Sequence, residues 1–600
     1  MLLSFSFFLL LRLSTGEKAD PSKSYLNALQ MLALLTCGIY FLAIFNFFWV
    51  SKFIIFGVSA GIVAYQFYKK KIYLNSFDFF IFLILGILTF FAQSIELHDW
   101  DDFSHWAVSL KNLKLTAGLP TNSHIDVGAS YIPGISLWLS LLSPNDPSQE
   151  GSSYAAAANF ISFFYFCATA VVITQDKTKS INKQIIFFLF ALIFYFVFSE
   201  KAGGLFTLSV DHDLSIFFVS ALLSLCLTDF KSSSILLLVS LIMLCLTKHT
   251  GVLFSSLALV IWLAEWGFKQ AKTSKLILLG SLSFFIIFIL KISWNNYLAH
   301  TAISVVLQQN TSLLPRIIEV LLNFKSDRLF LEVLPQMFER ACLSEFTKFL
   351  FVGILLFEAL HFKIFRKLNK RFFAYSFFSI LCYFIFLAFC YRFIFGEYEA
   401  KSLASFDRYF ETITLSWVLF FTFQWILQAQ ELLKNRSWSQ NFSYALSVIF
   451  LAPISYDIYK RKTTCFKITN RAEIQKQAEG LRTILPPNAK VYFIWQYSTG
   501  LECLMMRYEL MPRLISCDSS SLGEPSSSSD VWTHKVPLNE FATSINNYDY
   551  ILVAKDGGSL WKDYGALFEK QQEGLFQVQH TDQELIKLKK IDYQIGVPNE

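Results

Sequence analysis

Apolar residues form long runs along most of the chain, and short polar stretches separate one run from the next. Many of these runs approach the roughly 20 residues that a helix needs to cross a lipid bilayer. The pattern predicts about 13 transmembrane helices, at 26–47, 50–68, 76–97, 153–174, 184–200, 214–229, 233–248, 251–267, 276–293, 346–363, 372–394, 410–429 and 440–457. We therefore expect a polytopic α-helical membrane protein.

The pattern changes after the last predicted span. Strand-like runs at 490–495, 513–517 and 549–554 alternate with helical patterns at 471–485 and 559–571. Such alternation is typical of a small α/β domain. The expected parts are an N-terminal cytoplasmic segment 1–24, a membrane domain 25–457 with a polar first outer loop 98–152, and a C-terminal α/β domain 458–600.

Composition agrees with a membrane protein. Hydrophobic residues make up 54% of the chain and charged residues 16%, whereas soluble proteins carry about 25% charged residues. The net charge of +6 resides largely in short loops, where Lys and Arg mark the cytoplasmic side of a membrane. It therefore indicates orientation, and we expect no nucleic acid partner.

The basic loops predict how the chain crosses the cytoplasmic membrane. Lys and Arg concentrate on one side, in the loops 69–71, 177–183, 269–275, 363–371 and 434–436. The opposite, extracytoplasmic side then receives the acidic loop, the later polar loops and everything after Asp457. Three basic residues at 460–462 oppose this assignment, but long translocated domains follow the charge rule weakly.

Three of the ten cysteines fall in the polar C-terminal region, at Cys465, Cys503 and Cys517. These three cysteines allow one disulfide in that region. The sequence leaves its connectivity open.

The most polar segment at the end of a predicted span is 98–106, which contains three aspartates and two histidines. Ionisable groups at such a place are costly to desolvate and indicate a functional site. The structural alternative is that Asp101 or Asp102 caps the next helix. Apolar residues at Phe103, Trp106 and then Leu110 and Leu113 predict an amphipathic helix on the membrane surface.

Three further polar groups are predicted on the same outer side. They are Asp211-His212-Asp213 before a span, Lys248-His249-Thr250-Gly251 within an apolar stretch, and the segment from Glu397 to Tyr409 that contains Arg408. Each has a structural alternative: a helix cap for the aspartates, an interfacial position for the lysine, and an ion pair with Asp407 or Glu411, or lipid headgroups, for the arginine.

Together these residue types suit displacement at a sugar carbon with a phosphate leaving group. A carboxylate can accept the proton of the attacking hydroxyl. An Arg fork and a Lys point charge can stabilise the departing phosphate. The residues alone allow an ion-coupled transporter equally well.

The motifs resemble those of the membrane-embedded GT-C glycosyltransferases, which include protein O-mannosyltransferases and lipid A aminoarabinose transferases. The segment 100–106 is similar to their first-loop motif, with Asp-Asp in place of the usual Asp-Glu pair. The segment 131–134 resembles the Pro-rich element that follows the loop, and Val210-Asp211 the second acidic motif. The segment 246–251 resembles a Leu-Thr-Lys-x-x-Gly break, and 404–409 an Arg-Tyr motif of bacterial members whose substrate is undefined.

The resemblance implies a GT-C-like fold and an inverting transfer from a polyprenyl-phosphate sugar to an extracytoplasmic glycolipid, glycan or protein. The implied roles are catalysis for Asp101 and Asp102, acceptor binding or orientation for His105, Asp211 and Asp213, and donor phosphate binding for Lys248, His249 and Arg408. A divalent metal, if one is used, would be held by Asp101, Asp102 and Asp211. No other cofactor is expected.

Two other functions fit the same residues. A transporter or flippase of lipid-linked or anionic glycans would also need intramembrane charges, but would favour internal repeats, and none is evident. A polysaccharide polymerase or ligase would share the lipid-linked donor and would place its key residues in later loops.

Overall fold

The computed structural model of the protein describes residues 3–15, 20–68, 74, 76–93, 95–120, 127–144, 150–175, 181–301, 327–343, 370–432, 470–517, 520–527, 530, 532–580 and 586–591. The chain forms two compact units. The first contains residues 1–95 and 130–461, and the second contains residues 96–129 and 462–600.

Helices dominate the chain up to residue 432. They are α1 (Leu3–Thr15), α2 (Pro21–Ile44), α3 (Ser51–Tyr68), α4 (Ser76–Ala92), α5 (Ala107–Thr116), α6 (Gly134–Leu142), α7 (Glu150–Thr174), α8 (Ile181–Val197), α9 (Asp211–Leu223), α10 (Phe230–Thr247), α11 (Gly251–Phe268), α12 (Thr273–His300), α13 (Arg328–Leu343), α14 (Lys370–Phe393), α15 (Glu397–Ser402) and α16 (Phe406–Leu432). All of them except α5 belong to the first unit.

Seven helices in the described part of the chain are long and apolar enough to cross a membrane: α2, α7, α10, α11, α12, α14 and α16. The predicted helical character, with several helices able to span a membrane, is therefore confirmed, but the predicted count of about 13 spans is not. The spans predicted at 346–363 and 440–457 lie outside the described residues. Helices α4, α8 and α9, at three other predicted spans, have 17, 17 and 13 residues and are shorter than these seven.

Burial distinguishes the helices of the first unit. The candidate span of α7 is buried along its whole length, whereas only 22% of that of α12 is buried. Helix α7 is thus an inner helix, whereas most of α12 is exposed within the described part of the chain.

The N-terminal helix is an integral part of the first unit. Phe7, Phe8 and Leu11 of α1 are fully buried. Arg12 forms a buried ion pair with Asp78 of α4, with Nε 2.7 Å from Oδ1. The residues that we assigned to a separate N-terminal segment therefore pack within the same unit as the predicted membrane domain.

The second unit contains a five-stranded sheet. Its strands are β1 (Lys490–Trp495), β2 (Leu514–Ser516), β3 (Tyr550–Lys555), β4 (Gly574–His580) and β5 (Ile586–Lys590), and its helices beyond α5 are α17 (Arg471–Ile484), α18 (Leu501–Leu510), α19 (Leu538–Ile545) and α20 (Leu560–Tyr564). The strand order is β2-β1-β3-β4-β5. Strand β1 pairs in parallel with β2 and β3, and β3, β4 and β5 pair antiparallel.

The predicted α/β character of the C-terminal region is confirmed, because β1, β2 and β3 lie at the predicted strands. Strands β4 and β5 were not predicted. Cys503 and Cys517 form a disulfide within the unit, which decides the connectivity that the sequence left open. Cys465 lies outside the described residues.

Candidate functional site

Three of the polar groups singled out in the sequence meet at the ends of helices in the first unit. Helix α9 begins at Asp211, the break between α10 and α11 contains Lys248, and Arg408 lies in the first turn of α16. Asp211 contacts both cations. Lys248 Nζ lies 2.9 Å from Oδ1, and Arg408 Nε lies 3.2 Å from Oδ2. We call these three residues the Asp211 cluster.

The break between α10 and α11 positions Lys248. The backbone of Lys248 is extended, with φ −156° and ψ 161°, so the helix ends there and the side chain leaves the α10 axis. The chain then returns closely on itself. A Cβ at Gly251 would lie 1.8 Å from the carbonyl oxygen of Leu244, so only glycine fits at the start of α11.

The helix-cap alternative does not account for Asp211 and Asp213. Val210 occupies the N-cap of α9, and no side-chain hydrogen bond caps the helix. The side chain of Asp211 instead accepts hydrogen bonds from Ser209 Oγ at 3.1 Å and from Lys248. Asp213 is also buried in the first turn, but lies outside the Asp211 cluster.

The Asp211 cluster combines two cations with one carboxylate, so its formal charge is positive. The carboxylate is shielded, with 3% of the Asp211 side chain exposed, whereas Lys248 and Arg408 retain 17% and 23% exposure. Burial alone would lower the pKa of Lys248, which lies between two spans, but the Asp211 carboxylate raises it above its ordinary value. The cluster therefore carries a net positive charge on two partly exposed side chains that one carboxylate holds together.

The loop that contains Gly203 packs against the side chain of Arg408. Gly203 has φ +91°, and a Cβ there would lie 3.3 Å from Arg408 Cδ. The loop is anchored one turn further along α16, where Glu411 accepts from Lys201 Nζ at 2.9 Å and from the backbone N–H of Ala202 at 3.0 Å. Glu411 therefore serves the loop, and the Arg408–Glu411 pair considered from the sequence is replaced by Arg408–Asp211.

His249 points away from the Asp211 cluster. Its Nε2 lies 2.9 Å from the carbonyl oxygen of Ser130, and its Nδ1 lies 3.0 Å from Lys291 Nζ on α12. The second contact requires Nδ1 to accept, so Nε2 carries the proton and donates to Ser130. Burial and the charge of Lys291 lower the pKa of His249 to about 4. His249 was expected to bind phosphate directly, but both of its ring nitrogens are engaged within the protein.

The remaining residues of the Glu397–Tyr409 group have other partners. Glu397 pairs with Lys401 within α15 at 2.7 Å, and Asp407 pairs with Arg340 of α13 at 2.8 Å. Both pairs are largely exposed, where ion pairs contribute little to stability. Tyr409 differs, because its ring lies 5.1 Å from both Lys248 Nζ and Arg408 Cζ.

In the second unit the acidic segment forms a π-helical turn at Asp102–Trp106, a conformation that is frequent at functional sites. Asp102 is fully buried, and its Oδ2 accepts from the backbone N–H of Asp99 at 3.4 Å. Asp101 and His105 are partly exposed. Asp101 occupies the N-cap without a side-chain capping bond, so the cap alternative is not what the structure shows.

The C-terminal helices hold this segment by its backbone. Arg471 Nη1 donates to the carbonyl oxygen of Leu97 at 2.9 Å, and Arg507 Nη2 donates to that of Ser104 at 3.3 Å. The Phe103 ring packs edge-on against Tyr508 at 5.7 Å. Phe103 of the predicted apolar stripe therefore packs against α18, and Trp106, Leu110 and Leu113 are buried within the protein.

The structure offers little support for a metal ion. The described residues contain no group of three His, Cys, Asp or Glu side chains that could hold one. Both oxygens of Asp211 already contact cationic side chains, and a divalent cation there would meet their repulsion.

Comparisons with known proteins gave no match: no family model, no curated protein and no solved structure is similar to this chain.

Sequence reasoning missed two participants in these arrangements. Lys201 anchors the loop beneath Arg408, and Lys291 contacts His249. The sequence could have indicated Lys291, because it is a single charge within the apolar span predicted at 276–293. Charged residues in such spans are functional candidates by default.

Proposed function

We propose that the protein is an inverting glycosyltransferase of the cytoplasmic membrane, which transfers a sugar from a polyprenyl-phosphate donor to an extracytoplasmic glycolipid, glycan or protein. The observation that carries the proposal is the Asp211 cluster. Segments from three distant parts of the chain place two accessible cations on one shielded carboxylate at the ends of helices.

In this proposal Lys248 and Arg408 bind the donor phosphate. Its polyprenyl tail would remain in the hydrocarbon, which explains why a phosphate site lies at the ends of membrane helices. Arg408 provides a planar fork for phosphate oxygens, and Lys248 a point charge. Asp211 holds both cations in place and reduces the repulsion between them.

Asp101 is the proposed general base. The acceptor hydroxyl oxygen attacks the anomeric carbon, the bond between that carbon and the phosphate oxygen breaks, and polyprenyl phosphate leaves. The hydroxyl proton passes to the Asp101 carboxylate, and the attack from the opposite face inverts the configuration. Asp101 is partly exposed, whereas Asp102 is fully buried and is better suited to fixing the turn.

The disulfide between Cys503 and Cys517 supports an extracytoplasmic location for the C-terminal domain. Disulfides persist in oxidising compartments and are rare in the cytosol. The proposed sidedness places acidic segment, helix ends and C-terminal domain outside the membrane.

A transfer assay in membranes tests the proposal. Membranes that contain the protein are incubated with a panel of polyprenyl-phosphate hexoses and pentoses and with extracted lipids, glycans and proteins as acceptors. We expect release of polyprenyl phosphate and a new product with wild type but not with Asp101→Asn. Movement of an intact donor across the bilayer, without cleavage of its sugar–phosphate bond, would instead indicate a flippase.

A further inference from the structure

Lys291 is a cation within a membrane-spanning helix. It lies 16 residues after Lys275 along α12, which corresponds to about 24 Å at 1.5 Å per residue. With Lys275 at one membrane face, Lys291 approaches the opposite one. Its contact with His249 places it at the level of the break between α10 and α11.

The Lys291 ammonium contacts His249, whose ring orientation is fixed by a second hydrogen bond. His249 accepts from it through Nδ1, and the ring is fixed because Nε2 donates to the Ser130 carbonyl oxygen. Trp294, one turn after Lys291, donates to the same oxygen at 3.0 Å. A lysine that only reaches for water at the interface turns its ammonium outward, whereas this one is directed towards a fixed side chain.

His249 accepts a hydrogen bond from Lys291 but carries no negative charge. His249 is neutral, since its pKa is lowered to about 4. Among the residues that the structure describes, no carboxylate forms an ion pair with Lys291. A cation within a membrane-spanning helix is costly to desolvate, and an anion from outside the described protein would offset that cost.

The surroundings of Lys291 suit a lipid. Helix α12 is mostly exposed, and Phe288 and Ile292 beside Lys291 are 51% and 39% exposed. Asn295, one turn further on, is also exposed and can donate to an oxygen ligand. An apolar surface next to a cation and an amide matches a headgroup phosphate with its acyl chains.

This position is separate from the Asp211 cluster. The extended backbone at Lys248 directs consecutive side chains to opposite sides. Accordingly Lys248 contacts α9 and α16, whereas His249 contacts Ser130 and α12.

We propose that Lys291, supported by His249, binds the phosphate of an anionic membrane phospholipid on the lipid-facing side of α12. The site is independent of the donor site and would hold a bound lipid against the break that positions Lys248. It goes beyond the proposed transferase activity and does not require it.

Native mass spectrometry of the full-length protein in neutral detergent tests the site, with phosphatidylglycerol as the probe. We expect saturable binding of phosphatidylglycerol that diacylglycerol, which lacks a phosphate, does not reproduce. Lys291→Gln should weaken this binding about tenfold or more, the size expected for loss of a hydrogen bond to a charged group. Lys275→Gln, with the same charge change on the same helix, is the matched control.

Three outcomes would overturn the proposal. Equal binding of phosphatidylglycerol and diacylglycerol by wild type would show that no phosphate is recognised, whether or not the variants fold. Equal losses in Lys291→Gln and Lys275→Gln would indicate a general effect of surface charge. Displacement of the lipid by millimolar inorganic phosphate would assign the site to a soluble anion.

Discussion

The ammonium of Lys248 lies 2.9 Å from the carboxylate of Asp211, although 37 residues separate them in the chain. Arg408 reaches the other oxygen of the same carboxylate from nearly 200 residues further on. One buried acid therefore fixes two cations that the sequence presents as unrelated.

Neutralising the cations of the Asp211 cluster should weaken donor binding. We expect Lys248→Met and Arg408→Gln to lower the affinity for a polyprenyl-phosphate sugar about 10- to 100-fold, corresponding to about 1.5–3 kcal/mol for hydrogen bonds to charged groups. Arg408→Lys should restore only part of the affinity, because an ammonium cannot replace a planar fork. Binding of a labelled donor to detergent-purified protein measures the effect.

The matched control for these variants is Arg340→Gln. Arg340 pairs with Asp407, the neighbour of Arg408, but that pair is exposed. We expect donor binding by this variant to equal that of wild type. Unchanged binding in Lys248→Met and Arg408→Gln would make both residues structural and would remove the donor site from this cluster.

Asp101→Asn should reduce transfer by about 100-fold or more, within the range of general-base effects, because it removes the proton acceptor and keeps the side-chain shape. Asp99→Asn is the nearest comparison and should have a smaller effect. Both are measured as transfer rates in membranes at matched protein levels. Full activity of Asp101→Asn with loss of activity in Asp99→Asn would show that Asp101 is not the general base.

Arg471 is predicted to be a positioning residue for the acidic segment, since it donates to the Leu97 carbonyl oxygen and its guanidinium lies 4.8 Å from the Phe103 ring centroid. Arg471→Gln should lower kcat about tenfold or more, because small displacements of catalytic groups have large costs. The KM for the donor should remain unchanged, and Arg471→Lys should recover part of the rate.

Arg482→Gln is the control on the same helix, because Arg482 is 41% exposed and contacts Glu509 without reaching the acidic segment. A parallel fall of kcat and protein stability in both variants would indicate general destabilisation of the second unit and contradict a positioning role for Arg471.

His249 should make the stability of the first unit depend on pH. Its folded pKa of about 4 lies below the ordinary value near 6.5, so the unfolded chain binds a proton more readily. The contribution of neutral His249 to the free energy of unfolding is complete above pH 6.5. It is lost as the pH falls towards 4, at roughly 1.4 kcal/mol per pH unit. Thermal unfolding of wild type in detergent should therefore shift to lower temperature between pH 7 and pH 5.

His249→Asn should show a weaker dependence over this interval, because the titrating group is absent. His534→Gln, at an exposed position of the second unit, should follow wild type. Identical pH profiles for His249→Asn and wild type would mean that the buried imidazole does not control acid stability.

Topology can be measured with reporters that are active on one side of the membrane only. Fusions after Gly151 and Glu600 should report an extracytoplasmic location, and fusions after Lys272 and Lys370 a cytoplasmic one, as the basic loops predict. A cytoplasmic signal from the Glu600 fusion would contradict the sidedness on which the proposed function depends.

The sequence by itself determined the class of the protein and several of its local elements. Runs of apolar residues fix membrane helices, because backbone groups in lipid must be satisfied within a helix, and α10, α11 and α12 lie where these runs predict them. The strand-like run at 490–495 likewise predicted β1 correctly. Periodicity is a local property and can be read without knowing any neighbour.

Tertiary structure decided which polar residues act together. The sequence indicated Asp211, Lys248 and Arg408 separately, but not that one carboxylate holds both cations. It assigned His249 to the phosphate, whereas folding turns its ring towards Ser130 and Lys291. It also assigned the apolar stripe of the acidic segment to the membrane surface, whereas Phe103 of that stripe packs against Tyr508. Periodicity shows that a face is apolar, but only the packed chain shows what covers that face and which charges lie within reach of one another.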